Sequence, residues 1–267
     1  HQGKTPPCTE LILAHGIKKV VIACTDPFEK VNGSGISRLR QQGVEVVTGL
    51  LEKEAQELNK RFFTFHQQQR PFVILKWAQS ADGFIAGKDG QRIKISNDIT
   101  DVLVHRWRSE EAAIAVGTQT VLNDNPSLTT RLWPGNNPVR ILIDKQLRIG
   151  ADFSIMDDAA SVLVFNQIKA GKNDNIEYVM MDEKLTFPEQ LMKELYKRSL
   201  QSVIVEGGTI MLNSFISTGC WDEMRVITAT EKKLGEGVSA PQIPEAKVAD
   251  RQLLAGDEIV IYTPMKK

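Results

Sequence analysis

The sequence predicts an α/β protein built on a mixed, mostly parallel sheet with helices on both faces. Short β-branched runs alternate with helical patterns along most of the chain. The runs are nearly continuously apolar, as strands covered on both faces are. The last two, Met224–Ala229 and Glu258–Thr263, have no helix between them, which favours antiparallel pairing at one edge.

Taken in order, Cys8–Gly16 reads as a short helix stopped by glycine, and Lys19–Thr25 (KVVIACT) as a buried strand. A small helix over Gly33–Gly43, a strand over Val44–Thr48 and an amphipathic helix from Leu51 to about His66 complete a β-α-β-α fragment. The polar run Gln67-Gln68-Gln69-Arg70 ending at Pro71 reads as a linker, and the boundary is set at 68/69. Beyond it, strands are predicted at Phe72–Ala78, Ala112–Val116, Val139–Ile143, Ser161–Phe165, Glu177–Met180 and Ser202–Val205. Helices are predicted at about Asp98–Ser109, Thr118–Asn123, Pro188–Ser199 and Thr209–Thr218. Ile99, Val102, Leu103 and Trp107 give the first of these its apolar face, and Asn97 or Asp98 can cap it.

Composition narrows the function. The 267 residues carry 33 basic and 33 acidic side chains, so no overall charge recruits nucleic acid or a membrane, and a small metabolite is the expected partner. No apolar run approaches the roughly 20 residues of a membrane span. Cys8, Cys24 and Cys220 are far apart; the last two read as reduced thiols of a cytoplasmic protein.

Three segments carry chemistry. In Ala113–Arg131 (AIAVGTQTVLNDNPSLTTR) a strand breaks at Gly117-Thr118 into a helix, with Thr120, Asp124, Pro126 and Arg131 following. Free N–H groups at such a turn suit phosphates, and Arg131 adds a planar fork for a second anion. In VIVEGGT, Glu206 ends a buried strand and Gly207-Gly208 open a helix. That places a carboxylate able to bind a polar substrate or deliver a proton where such sheets bind ligands; the plain alternative is a tight turn with a solvated glutamate. In FVILKWAQSADG, Lys76 sits in an apolar strand, where a lysine needs a partner or a ligand. Ser80 and Asp82-Gly83 read equally well as simple turn chemistry. His15, His66 and His105 stand alone in helices and read as surface or packed residues. Cys8 opens a helix, a position that favours metal binding, but it has no C-x-x-C partner, so zinc is not expected.

With those residues in view, the chain resembles the bacterial bifunctional riboflavin-biosynthesis deaminase/reductases. KWAQSADG, SNDITDVLVHRWRSEEAAIAVGTQTVLNDNPSLTTR, NPVRILID and VIVEGGT occur in the family's order and spacing. The resemblance implies a dihydrofolate-reductase-like reductase domain over 69–267, preceded at 1–68 by the C-terminal remnant of a zinc deaminase of cytidine-deaminase-like β-α-β-α form. HQGKTPPC resembles the end of the deaminase zinc motif, with Cys8 as its last ligand. The other ligands and the proton-shuttling glutamate precede it in the family, so zinc is expected only where that segment is present and no deaminase activity is expected from this sequence.

For the reductase, the resemblance implies NADPH as cofactor and a phosphorylated pyrimidine as substrate, the ribosyl group of 5-amino-6-(5-phosphoribosylamino)uracil being reduced to ribityl. Ala78, Thr120, Asp124, Gly208, Thr209 and Ser214 would meet the cofactor, and Arg108, Leu128, Arg131 and Glu206 the substrate. Lys76 and Glu206 would lie nearest the reacting carbon, with Glu206 supplying a proton and Arg131 and Arg108 anchoring the phosphate and uracil side. On this reading Thr120 and Asp124 lie on the donor side of the opening segment, Leu128 and Arg131 on the acceptor side. A homodimer is implied as well. One departure stands out: the family often has Gly-x-Ser-x-Trp after the first strand, whereas here Arg92 and Lys94 take the serine and tryptophan positions. Two cations there suit phosphate groups. The rival readings are a nucleotide-binding regulatory module of the same fold without turnover, and a fragment of an intact zinc-dependent deaminase/reductase.

Overall fold

A computed structural model describes residues 7–27 and 33–265. The chain divides into two compact units, His1–Arg70 and Pro71–Lys267.

In the first unit, α1 (Cys8–Ala14), β1 (Lys19–Ile22), α2 (Ser34–Gln41), β2 (Glu45–Thr48), α3 (Glu52–Leu58) and α4 (Lys60–Gln68) follow one another. β1 and β2 pair in parallel. The single helix predicted from Leu51 is two helices. Asn59 between them has φ −107° and ψ 23°, and its side chain donates to the Ala55 carbonyl at 2.9 Å, the local competition with helix bonding expected of asparagine. His1 to Pro6 of the zinc-like motif lie outside the described residues; Cys8 is the first residue of α1 and is exposed.

The second unit opens with β3 (Phe72–Ser80) and β4 (Phe84–Ala86), then α5 (Asp98–Glu110), β5 (Ala113–Gly117), α6 (Thr118–Asp124), β6 (Val139–Ile143) and β7 (Val162–Asn166). β8 (Gly171–Asn173), β9 (Ile176–Met180), α7 (Phe187–Lys197), β10 (Ser202–Val205), α8 (Thr209–Thr218), β11 (Glu223–Ala229), β12 (Val238–Ser239), β13 (Ala246–Leu254) and β14 (Asp257–Pro264) complete it. Ten strands form one sheet in the order β13-β14-β11-β3-β10-β5-β6-β7-β9-β8. Its centre, from β11 to β9, is parallel; β14 runs antiparallel to β11, β13 to β14, and β8 to β9. The antiparallel β11–β14 pairing is the one expected, but β14 is not the edge. β13 lies outside it and escaped sequence reading because nearly all of its residues are exposed, so no apolar alternation marks it.

Strand alternation divides the core into two layers. Val73, Leu75, Trp77, Val203 and Val205 pack with Leu191 and Leu195 of α7 and Leu212 and Phe215 of α8. Ile74, Ile114 and Ile204 face the other way, onto Val104 and Trp107 of α5 and Val121 of α6. The residue that follows Ile74 on its own face is Lys76.

Candidate functional site

The site begins where three neighbouring parallel strands end. Leu75 pairs with Val205, and the Glu206 N–H donates to the Ala115 carbonyl at 2.9 Å, so Glu206 continues the β10 ladder by one residue. Alternation turns Glu206 and Lys76 to the face covered by α5. That helix is capped by Asn97, whose side chain accepts the Thr100 N–H at 2.9 Å. Asn97 also donates to Asp257 at 2.8 Å, tying the helix start to the β13–β14 turn.

Val104 and Trp107 bury one side of α5, and Arg108 reaches the strand ends. Its Nε and Nη2 donate to the two Glu206 oxygens at 2.9 and 2.7 Å, a bidentate fork. Lys76 Nζ stands 3.5 Å from Glu206 Oε2. The side chains of Lys76, Arg108 and Glu206 are only 12, 14 and 11% exposed. Burial alone raises the Glu206 pKa; Arg108 and Lys76 overturn that and hold it at about 2. Burial likewise opposes the Arg108 charge, and Glu206 more than restores it.

Lys76 and Arg108 of this triad line a cavity of about 440 Å³, together with Arg92, Asp101, His105, Asp124, Ser127, Leu128 and Arg131. Arg131 Nη1 donates to Ser127 Oγ and Thr129 Oγ1, both at 2.9 Å, which fixes its guanidinium at the rim. Arg92 Nη1 lies 3.4 Å from the Asp124 carbonyl. Burial raises the Asp124 pKa, and Arg92 opposes the rise. Leu128 is buried with φ +56°, a left-handed conformation that costs about 1–3 kcal/mol outside glycine and recurs at functional sites.

The glycine turn lies alongside. α8 starts at Gly208 and α6 at Gly117, and neither helix has a side chain accepting from its first turn. A Cβ on Gly208 would lie 3.9 Å from Thr120 Oγ1, so the two turns face one another. Uncapped N–H groups at the end of the ten-residue α8, next to a threonine hydroxyl, fit the phosphates of a nucleotide cofactor. Ala78 lies two residues beyond Lys76 on the same face of β3.

The other expected residues lie as follows. Arg108 and Lys76 beside Glu206 favour its ionised form. Arg108 commits Nε and Nη2 to Glu206 and so braces the carboxylate, and it also lines the cavity. Asp124 shares the cavity with Leu128 and Arg131, and Thr120 faces the glycine turn. Ser214 lies in the second turn of α8 with its hydroxyl donating to the Met211 carbonyl at 2.6 Å, about 9 Å of helix rise from Gly208. Thr209 Oγ1 donates to the Ser239 carbonyl at 2.5 Å. Lys94 pairs with Asp98, and with Asp101 at 3.2 Å, and does not line the cavity. Asp82 has the plain turn role: it accepts from Ser80 Oγ at 2.6 Å and from the Gly235 N–H at 2.7 Å.

Sequence reasoning passed over His105. It lies one helical turn before Arg108 on the cavity side of α5 and accepts the Leu132 N–H at 3.4 Å. Burial, reinforced by Arg108 and Arg131, lowers its pKa to about 4. The signal was its i, i+3 spacing to Arg108, which becomes legible only once Arg108 has a destination.

An open α/β sheet with a buried ionic triad, a cation-lined cavity and a glycine turn at its strand ends has the architecture of an enzyme that acts on a small molecule. Residues 71–249 match the RibD C-terminal domain, and the chain belongs to the RibD family. It is 36% identical over 245 residues to the riboflavin biosynthesis protein RibD of Aquifex aeolicus, covering 90% of this chain and 68% of the relative. Against the Bacillus amyloliquefaciens protein it is 38% identical, covering 84% of the chain and 63% of that relative. A diaminohydroxyphosphoribosylaminopyrimidine deaminase/5-amino-6-(5-phosphoribosylamino)uracil reductase from Thermotoga maritima is similar in structure, with TM-score 0.89 and 35% identity over 99% of this chain and 76% of its own. Acinetobacter baumannii RibD gives TM-score 0.90 at 27% identity, over 100% and 78% of the two chains. The fold alone is shared with the yeast riboflavin biosynthesis reductase Rib7, at TM-score 0.57 and 23% identity over 73% of this chain and 90% of that one.

Proposed function

We propose that the second unit reduces the ribosyl group of 5-amino-6-(5-phosphoribosylamino)uracil to the ribityl chain, the reductase step of riboflavin biosynthesis, with NADPH as the donor. The observation that carries this reading is the Lys76–Glu206–Arg108 triad at the strand ends, opening onto the cavity rimmed by Arg92 and Arg131. A dihydronicotinamide supplies a hydride when bound.

The residues of the chain do the rest. Arg131 and Arg92 take the phosphate monoester, since neither is committed to a carboxylate side chain in the hydrogen bonds that hold the site. Glu206, held ionised by Arg108 and Lys76, accepts hydrogen bonds from hydroxyls of the opened sugar and fixes its chain. The product gains one hydride at C1′ and one proton on the nitrogen bound to it. Within the triad Lys76 is the group suited to give that proton, because Arg108 keeps its own and Glu206 has none to give. Leu128 supplies an apolar wall beside the pyrimidine.

The Gly207-Gly208 turn and Thr120 support the cofactor assignment, and Ala78 lies on the face of β3 that carries Lys76. In this reading residues 1–68 derive from a zinc deaminase domain and 69–267 form the reductase. Cys8 would stand in the place of a zinc ligand of that deaminase domain. Cys24 and Cys220, read as reduced thiols, favour a cytoplasmic setting, and a homodimer is the expected assembly, checked by light scattering. Among the described residues no helix is long and apolar enough to cross a membrane.

The test is loss of reduced-nicotinamide absorbance with the aminated and the deaminated ribosylaminopyrimidine phosphates supplied separately. Oxidation with the deaminated compound alone supports the assignment. Cofactor binding without oxidation of either would favour the regulatory-module reading.

A further inference from the structure

Among the buried charges that the mechanism leaves unused, Arg140 is the most fully enclosed. Arg140, in the middle of the sheet on β6, is 0% exposed and is the bulkiest fully buried side chain among the described residues. Its neighbours Ile141 and Leu142 are core aliphatics. A buried guanidinium is costly, and an apolar residue of similar volume often serves stability as well or better. What its fork holds is therefore informative.

Arg140 Nη1 donates to Asp157 Oδ1 at 2.6 Å and to the carbonyls of Ser154 at 3.2 Å and Ser127 at 3.5 Å. Its Nη2 donates to the carbonyls of Asp157 at 2.5 Å and Ala160 at 2.6 Å. Two loops meet on this one group: 154–160, and the segment that lines the cavity. A second tie joins them, as the Ser154 N–H donates to Asn125 Oδ1 at 2.7 Å. Ser127 is also the residue whose hydroxyl receives Arg131 Nη1 at 2.9 Å. Between Ser127 and Arg131 the backbone passes through the left-handed Leu128, a conformation that persists only where its surroundings over-determine it.

We propose that Arg140 is a positioning residue for substrate recognition: from the sheet interior it fixes Ser127 and the 154–160 loop, and through Ser127 sets the guanidinium of Arg131. The proposal rests on the reading of Arg131 as the phosphate anchor. It explains why a five-donor planar fork occupies a core strand position. A lysine there keeps the charge but cannot bridge both loops.

The experiment compares Arg140→Lys, Asp157→Asn and Arg131→Ala with the wild type. The Asp157 side chain is 45% exposed, so its replacement loosens the Arg140 fork without opening the core and carries the test where Arg140→Lys fails to fold. Substrate KM, kcat and the dissociation constant of NADPH, the last by fluorescence titration, are measured for each. We expect KM to rise about tenfold in Arg140→Lys and about threefold in Asp157→Asn, with kcat and NADPH affinity within about twofold of wild type. A role in stability alone would lower the melting temperature and leave KM in place, and that result overturns the proposal. So does parallel loss of KM, kcat and cofactor affinity. If Arg131→Ala raises KM while the other two variants keep the wild-type value, the positioning role fails and the anchor reading survives. If Arg131→Ala leaves KM unchanged, the anchor reading fails and takes the proposal with it.

Discussion

Replacing Glu206 by glutamine removes one charge and almost no volume, so its effects isolate the electrostatics of the triad. A carboxyl lowered from the ordinary 4.5 to about 2 has its charged form favoured by about 3 kcal/mol. Breaking a buried ion pair from one side costs a similar amount, about 3–5 kcal/mol, because the remaining charges are left uncompensated. In Glu206→Gln, Arg108 and Lys76 would face an amide with one acceptor oxygen and an NH₂ group that can only oppose another donor. For a unit of this size about 3 kcal/mol corresponds to a melting point lower by about 6–12 °C, read by scanning calorimetry at pH 7. The sign of the pH dependence follows from the depressed pKa. The contribution is fully present above pH 4.5 and is lost as pH falls toward 2, so wild type and variant converge in acid. Kinetically, kcat falls in the variant while the shape of the pH–rate profile above pH 5 is unchanged, since Glu206 does not titrate there. An acid limb near neutrality that is present in the wild type and abolished by Glu206→Gln would refute the reasoning, for it would mean that the carboxyl carries a proton in turnover.

The remaining expectations concern the groups around the triad. Arg131→Ala raises substrate KM by about 10- to 100-fold through loss of a charge-assisted phosphate contact and leaves NADPH affinity in place; equal loss of both would remove Arg131 from the substrate side. His105 is held neutral, its pKa lowered from 6.5 to about 4. Between those values the unfolded chain binds a proton that the folded one does not, so stability falls by about 3 kcal/mol as pH drops through this window. His105→Gln, which keeps an acceptor for the Leu132 N–H, should lack that decline in acid denaturation curves. A Cβ on Gly207 would come within 3.0 Å of Met211 Sδ and 3.2 Å of its Cβ. Gly207→Ala therefore shifts the first turn of α8 and costs about 1–3 kcal/mol, with weaker NADPH binding in a fluorescence titration; Gly208→Ala, with 3.9 Å of room, should be milder in stability.

The central strands were legible because both of their faces are apolar, and the helices because their caps and periodicities are written locally. Asn97 signals the start of α5. Thr186 with Glu189 signals that of α7, where the Thr186 N–H donates to Glu189 Oε2 at 2.8 Å in a capping box. The elements that were missed lack such marks. β13 (AKVADRQLL) owes its strand form to pairing with β14, including a register shift between Val248 and Asp250, and pairing partners are not encoded in a strand's own residues. β4, β8 and β12 are three residues or fewer, too short to show a period. The break at Asn59 depends on a single side chain capturing the Ala55 carbonyl.

The site was half legible for a related reason. Lys76 announced itself because a charge in an apolar strand demands a partner, and Glu206 because a carboxylate at a strand end precedes a glycine turn. Their pairing follows from the β3–β10 register, a nonlocal fact. Once Arg108 and Lys76 both face Glu206, the carboxylate is favoured in its charged form and the guanidinium of Arg108 braces it through Nε and Nη2. The chain as a whole is neutral, with 33 charges of each sign, so the attraction for an anionic substrate has to be local. It comes from Arg92 and Arg131 at the rim, one resting on a backbone carbonyl and the other on two hydroxyls. Neutral partners hold the Arg131 guanidinium in place without cancelling its field, whereas Asp124 offsets part of the Arg92 charge. By the same logic His105 has to stay uncharged: a third cation between Arg108 and Arg131 would repel both, and its burial on α5 keeps the proton off.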